Sequence, residues 1–310
     1  MKVQTWSYED FPAFDEPVDG AQYLDTTGDE VGVHYMHDVV YARKNGLDLH
    51  LQILIPANRR DGFQPFADKQ SMHLPCFVFV QGSGWMRQYV YADLMQLGRL
   101  AQRGFVCAIV EYRSSDMAFF PAQVIDAQDA VRFLRKNAER FGIDPLRMII
   151  AGTSSGGHTA MWLPMVSAES QAYPDISAQV CGIVDFFGST SVMAPDSNPQ
   201  TVNHCLPDSP EGRVMGRQNL LEKPELARQL SVECQITQET ALPPVLIFHG
   251  TKDRTVNCSG SAILYRSLIE TGHDARLYIL RGADHGGPEF WTENVLDIVE
   301  AFCRKCFDQA

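Results

Sequence analysis

Nowhere in the 310 residues does an unbroken apolar run approach the ~20 side chains that a membrane-spanning helix needs. The first residues, MKVQTWSYEDFPAFDEP, carry acids and aromatics where a secretory leader would have a basic start and an apolar centre. Basic residues are also in short supply, with Lys and Arg totalling 26 against 38 Asp and Glu and a formal net charge of −12. A nucleic-acid or anionic-membrane surface needs clustered positive charge, so neither partner is expected. The excess acids are scattered and read as a solubility feature. The eight cysteines are spread along the chain, several within apolar runs where a reduced thiol packs as a small hydrophobe, which points to a reducing cytoplasm. Cys303 and Cys306 have CxxC spacing but end an amphipathic helical pattern with no second ligand pair nearby, so no metal site is expected there. Internal repeats and low-complexity segments are absent.

What remains is an ordinary globular composition, 45% hydrophobic and 21% charged, able to bury a large core. Residues 1–30 mix aromatics and acids without a period and read as an irregular arm packed on the body. From His37 to Pro56 apolar and polar residues alternate on either side of Asn45-Gly46, the pattern of a hairpin at a sheet edge. Near-continuous apolar runs then recur at Cys76–Val80, Phe105–Val110, Met148–Ala151, Val180–Phe187, Val245–Phe248 and Arg276–Leu280. Amphipathic stretches lie between many of them, notably the one opened by Pro121 and the last, carrying Val295, Ile298, Val299 and Phe302. Strands buried on both faces and separated by helices imply a mainly parallel, doubly wound α/β sheet with an antiparallel N-terminal hairpin. We expect a single domain over 1–310. The proline-punctuated stretch 190–242, with a short helix near Pro224–Leu230, interrupts the rhythm and is expected to be a flap or cap over the site.

The chemistry gathers where strands end. Met148–Ala151 runs into Gly152-Thr153-Ser154-Ser155-Gly156, a GxSxG elbow centred on Ser154, in which small flanking residues let a strand turn sharply into a helix and leave the central hydroxyl exposed. A serine needs an imidazole to take its proton and a carboxylate to orient that imidazole. Asp253 follows the Val245–Phe248 strand and His285 follows the Arg276–Leu280 strand, which yields the chain order Ser, Asp, His. Asp284 and Asp185 are competing acids. The loop after the Cys76–Val80 strand, Gln81-Gly82-Ser83-Gly84-Trp85, is small enough for backbone N–H groups to approach an oxyanion. Ser83, Gly84 and Ser155 are therefore the candidate donors. Trp85 and Trp291 are candidate aromatic walls of the substrate pocket.

The stretches QGSGW, YRSSDMAFFPAQVIDAQDAVRFLRKNAERFGIDPLRMIIAGTSSGGH, SPEGRVMG, HGTKDRTV and GADHGG together resemble the α/β-hydrolases of the esterase and lipase group, and among them the BD-FAE branch related to acetyl xylan and feruloyl esterases. The similarity spans roughly residues 75–305. It implies an α/β-hydrolase fold and carboxylic ester hydrolysis with Ser154 as nucleophile, Asp253 as acid and His285 as base. No metal or organic cofactor is implied. The group's oxyanion loop usually reads HGGGW; here Gln81 and Ser83 replace its histidine and second glycine, so the loop's internal bonding must differ. The expected substrate is a small-molecule or oligosaccharide ester, with acetyl or feruloyl groups on xylo-oligosaccharides foremost. Amide hydrolysis, of the prolyl-oligopeptidase or arylformamidase kind, and a non-catalytic ligand-binding role are the alternatives. A homo-oligomer is compatible with the sequence and not specified by it.

Overall fold

The structure, a computed structural model, describes residues 4–7, 9–57, 73–192 and 201–309. The polar connection at 58–72 and the insertion's residues 193–200 lie outside them. Strands β1 (Gly32–Lys44) and β2 (Leu47–Ala57) form the expected hairpin. Asn45 and Gly46 both have positive φ, +53° and +79°, the conformation a two-residue turn between twisted strands requires. The chain continues through β3 (Leu74–Val80), α1 (Leu94–Ala101), β4 (Val106–Val110), α2 (Ala122–Lys136), α3 (Ala138–Phe141), β5 (Ile143–Thr153), α4 (Ser155–Trp162) and β6 (Gly182–Phe186). After the insertion, with α5 (Pro210–Val214) and α6 (Pro224–Leu230), come β7 (Val245–Gly250), α7 (Cys258–Glu270), β8 (Ala275–Leu280) and α8 (Glu293–Phe307).

The strands form one sheet in the order β1-β2-β4-β3-β5-β6-β7-β8. β2 is antiparallel to β1 and β4, and every other neighbouring pair is parallel. Period-two alternation feeds two cores. Cys76, Val78 and Val80 of β3 face a layer that includes Val124, Val131 and Leu134 of α2 and Leu264 of α7. Phe77 and Phe79 face Leu97 and Leu100 of α1 and Leu296, Val299 and Phe302 of α8. Because β3, β5, β6, β7 and β8 are parallel, the loops that follow them emerge along one edge, where open α/β sheets bind their ligands.

Two expectations change. The arm is irregular, as expected, but it does not pack its side chains: Phe14, Tyr23 and Leu24 are 73%, 71% and 92% exposed. The insertion holds a second helix, α5, started by Ser209, whose Oγ accepts from Gly212 N, with Pro210 in its first turn. Cys303 and Cys306 of the CxxC pair lie in the core beneath the sheet, where burial pushes the Cys306 thiol up to about 12. Among the described residues no helix is long and apolar enough to cross a membrane.

The contact that positions the site is the approach of α4 to β3. A Cβ on Gly156 would sit 1.9 Å from the Val80 carbonyl oxygen, and one on Gly152 would sit 2.2 Å from the Gly156 carbonyl oxygen. Gly156→Ala should therefore cost at least about 3 kcal/mol through a backbone clash that rotamer change cannot relieve. Gly272→Ala, at a φ of +84° with nothing within 4 Å of the added carbon, should cost only about 1 kcal/mol. Urea unfolding followed by circular dichroism measures both.

Candidate active site

Ser154 occupies the junction between β5 and α4 at φ +53°, ψ −123°. An L-residue accepts that conformation only under constraint, here a turn held by Ser154 N donating to Phe186 O (2.9 Å) and His158 N donating to Ser154 O (3.1 Å). Its Oγ lies 2.9 Å from His285 Nε2. The other ring nitrogen, His285 Nδ1, lies 2.7 Å from Asp253 Oδ2. A carboxylate accepts only, so Nδ1 carries the proton and Nε2 is left as the acceptor facing the serine hydroxyl. The ring of Phe187 meets His285 edge-on at 4.9 Å and restrains its tilt.

The structure separates the three candidate acids. Asp253 has a fully buried side chain. Its Oδ1 accepts from Thr255 N and Val256 N at 2.8 Å each, and its Oδ2 faces both His285 and His249. Burial alone would raise its pKa, but the hydrogen bonds from His249 and His285 outweigh that and hold the carboxyl well below the usual carboxylate range. Asp284 points away, accepting from Arg254 N and its guanidinium. Asp185 lies under α4, accepting from Gly188 N with its second oxygen unpartnered. Burial pushes it up to about 7, against the opposing influence of His249 and the Gly188 N–H.

The oxyanion loop is fastened to the elbow by side chains. Gly82 N donates to Thr153 Oγ1 (2.9 Å) and Ser83 N to Ser155 Oγ (3.0 Å). The Ser83 hydroxyl, standing where the HGGGW pattern has glycine, donates to Met86 O (2.6 Å) and lies 2.9 Å from Tyr112 Oη. Ser83 N–H is thus already engaged, which removes it from the expected donor set in this arrangement. Among the described residues the N–H groups of Gly84 and Ser155 donate to no acceptor. Gly84 has φ +61°, and a Cβ there would meet Pro210 of the insertion at 3.1 Å.

These residues line a cleft of 630 Å³. The insertion contributes Val202, His204, Pro210 and Glu211 to its wall. Both expected tryptophans reach the lining but are seated in the core rather than presented as open platforms. Trp85 is 1% exposed and packs edge-on to His158 at 5.0 Å; Trp291 is 7% exposed and stacks on Phe186 at 5.4 Å. Sequence reasoning passed over Phe187, His249 and Glu211. Glu211 was legible only as part of SPEGRVMG, yet it is 1% exposed, and its Oε1 accepts from Ser189 Oγ at 2.7 Å and lies 2.8 Å from His204 Nδ1. Among the described residues its Oε2 has no partner, and neither have the buried Oε1 atoms of Gln81 and Gln96, whose residues line the same cleft.

Comparison with known proteins bears on the fold and the family. A truncated carbohydrate esterase from gut microbiota superposes with a TM-score of 0.71 at 22% identity, covering 91% of this chain and 99% of that one. The Thermogutta terrifontis esterase Est2, solved with propionate bound, gives 0.66 at 25% identity over 88% and 94%. These likenesses establish the α/β-hydrolase fold. Among curated proteins, the isoprenylcysteine alpha-carbonyl methylesterase of Arabidopsis thaliana is 26% identical over 279 residues, 83% of this chain and 60% of that protein. Esterase LipC of Mycobacterium tuberculosis is 25% identical, covering 71% of this chain and 54% of its own. The chain thus spans little more than half of the length of these relatives. The family model for BD-FAE matches residues 63–268, most of the sheet and its nucleophile elbow, and the chain belongs to the BD-FAE family of α/β-hydrolases.

Proposed function

We propose that the protein is a serine carboxylesterase cleaving short acyl groups from hydroxylated alcohols, with acetyl groups on xylo-oligosaccharides or similar sugars as its natural esters. The observation that carries the chemistry is the continuous hydrogen-bonded line from Ser154 Oγ through His285 to the buried Asp253 carboxylate. In the first half-reaction Ser154 Oγ attacks the ester carbonyl as its proton passes to His285 Nε2. Asp253 stabilises the imidazolium that forms. Charge developing on the carbonyl oxygen is met by the N–H groups of Gly84 and Ser155, the latter at the N-terminus of α4. Collapse expels the alcohol, which takes the proton from Nε2, and a water molecule then releases the acid by the same steps in reverse.

The alcohol side is inferred from the walls. Gln81, Gln96, Ser189 and Glu211 bring hydrogen-bonding side chains to the lining of the cleft, and among the described residues no Lys or Arg lines it. A polar, acid-bearing lining without a cation favours a ligand that brings neutral hydroxyl donors and disfavours an anionic one, whose charge would be buried without a partner. The short acyl preference is supported by the aromatic side chains of Phe187 and Trp291 that line the cleft together with His285, and by the propionate held by the Thermogutta relative.

Ser154→Ala should leave the far-ultraviolet spectrum unchanged and lower kcat on p-nitrophenyl acetate by ~10⁴-fold or more; retained turnover would place the nucleophile elsewhere. Asp253→Asn should cripple turnover far more than Asp185→Asn or Asp284→Asn, since only Asp253 meets the imidazole. In an acyl series, acetate and propionate esters should be cleaved much faster than octanoate. A monoacetylated methyl xyloside should exceed cyclohexyl acetate in kcat/KM by about 10-fold or more, and Glu211→Gln and Gln81→Met should each shrink that ratio. Equal rates on the two esters would refute hydroxyl recognition.

A further inference from the structure

The acid of the triad is shared between two imidazoles. His249, at the end of β7, is completely buried. Its Nε2 stands 3.1 Å from Asp253 Oδ2 and 3.0 Å from Val256 O. Neither the carbonyl nor the ionised carboxylate can donate, so Nε2 must carry a proton. Its Nδ1 lies 2.7 Å from Ser261 Oγ on α7, whose hydroxyl can donate to it and fix that tautomer. With Thr255 N and Val256 N on Oδ1, and His249 and His285 on Oδ2, every side of the carboxylate is occupied by a donor.

Resting on the esterase reading above, we propose that His249 is a positioning residue of the catalytic machinery. By donating to the oxygen that also holds His285, it fixes the carboxylate's orientation and draws charge from it, so that His285 is less readily protonated than in a triad whose acid serves one imidazole. A carboxylate oxygen divided between two donors stabilises each of them less than it would one alone. The enzyme consequently keeps its base unprotonated, and hence active, to lower pH. Other charged and titratable groups surround the pair. Asp185 of β6 lies close enough to His249 for its ionisation to feel the imidazole, and Cys258 of α7 close enough to Asp253 for its ionisation to feel the carboxylate. His285 has Ser154 in front of it and, in its own loop, Asp284 tied to Arg254, with Glu289 beside Gly287. Of these, Asp185 responds directly to removal of His249, so the test is run in both native and Asp185→Asn backgrounds.

The experiment is the pH dependence of kcat/KM on p-nitrophenyl acetate for the wild type, His249→Leu and His249→Gln. In parallel, the protonation of His285 is followed by nuclear magnetic resonance with labelled histidine, a readout independent of turnover. In His249→Leu the acid-side midpoint should rise by about 0.5–1 pH unit, the plateau kcat should fall by about 10-fold, and KM should change little. His249→Gln, whose amide can still donate to Oδ2, should bring the midpoint back towards that of the wild type. An unmoved midpoint in folded His249→Leu, or an equal shift in both variants, overturns the proposal, the second because it marks a packing effect. Should His249→Leu fail to fold, Ser261→Ala carries the test: releasing the tautomer should move the midpoint the same way by less, and an unchanged midpoint overturns the proposal. Absence of ester turnover in the wild type would defeat the esterase reading instead, and the resonance titration of His285 would still decide the role of His249.

Discussion

The site depends on how closely α4 approaches the end of β3. With no side chain at Gly156, the first turn of the helix lies directly against the Val80 carbonyl, and the chain can meet that position only by passing Ser154 through a positive φ. Strain at the nucleophile is therefore a consequence of packing elsewhere. The same closeness lets Thr153 and Ser155, on either side of the nucleophile, take the N–H groups of Gly82 and Ser83. Nucleophile and oxyanion loop are one mechanical unit, each holding the other in place. Substituting a serine for a glycine in that loop adds a hydroxyl brace to Met86 and Tyr112 and leaves the backbone path compact.

Electrostatics makes the three nearby aspartates unlike one another. Asp253 is surrounded by donors and held ionised despite burial. Asp284 is satisfied at the surface by Arg254. Asp185 is buried with one unpartnered oxygen and pushed up towards neutrality. Chain position alone does not distinguish them, since Asp253 and Asp284 follow β7 and β8 and Asp185 lies at the end of β6, all towards the same edge. The distinction lies in which donors the fold delivers to each carboxylate.

That contrast marks where sequence reading succeeds. Strands β3 to β7 were legible because runs buried on both faces have few alternatives, the half-exposed edge strand β8 through its apolar run alone, and the Asn45-Gly46 turn because two successive positive φ angles favour those residues. Ser154, Asp253 and His285 were legible as residues at strand ends, and the structure brings the three together. The seating of Trp85 was not legible, because it depends on Val214 and Leu230, more than a hundred residues away. Glu211 and His204 were hidden for the same reason: their meeting is made by the insertion's path, and no local period records it. The arm at the N-terminus misled because aromatic residues in a sequence suggest burial, whereas here most are exposed.

The small apolar nucleus of Trp85, Val214 and Leu230 has a mechanical consequence. Leu230 O lies 2.9 Å from the Nε2 of the buried His158 on α4, and Val232 N donates to Thr190 O just beyond β6. The described part of the insertion is therefore rooted in the helix that carries the nucleophile, rather than hung beside it. Lifting it would uncover a tryptophan, a valine and a leucine, on the order of 5 kcal/mol of apolar exposure, before any polar contact is counted. Displacing that part of the insertion would thereby disturb the seat of the nucleophile's helix together with one wall of the cleft.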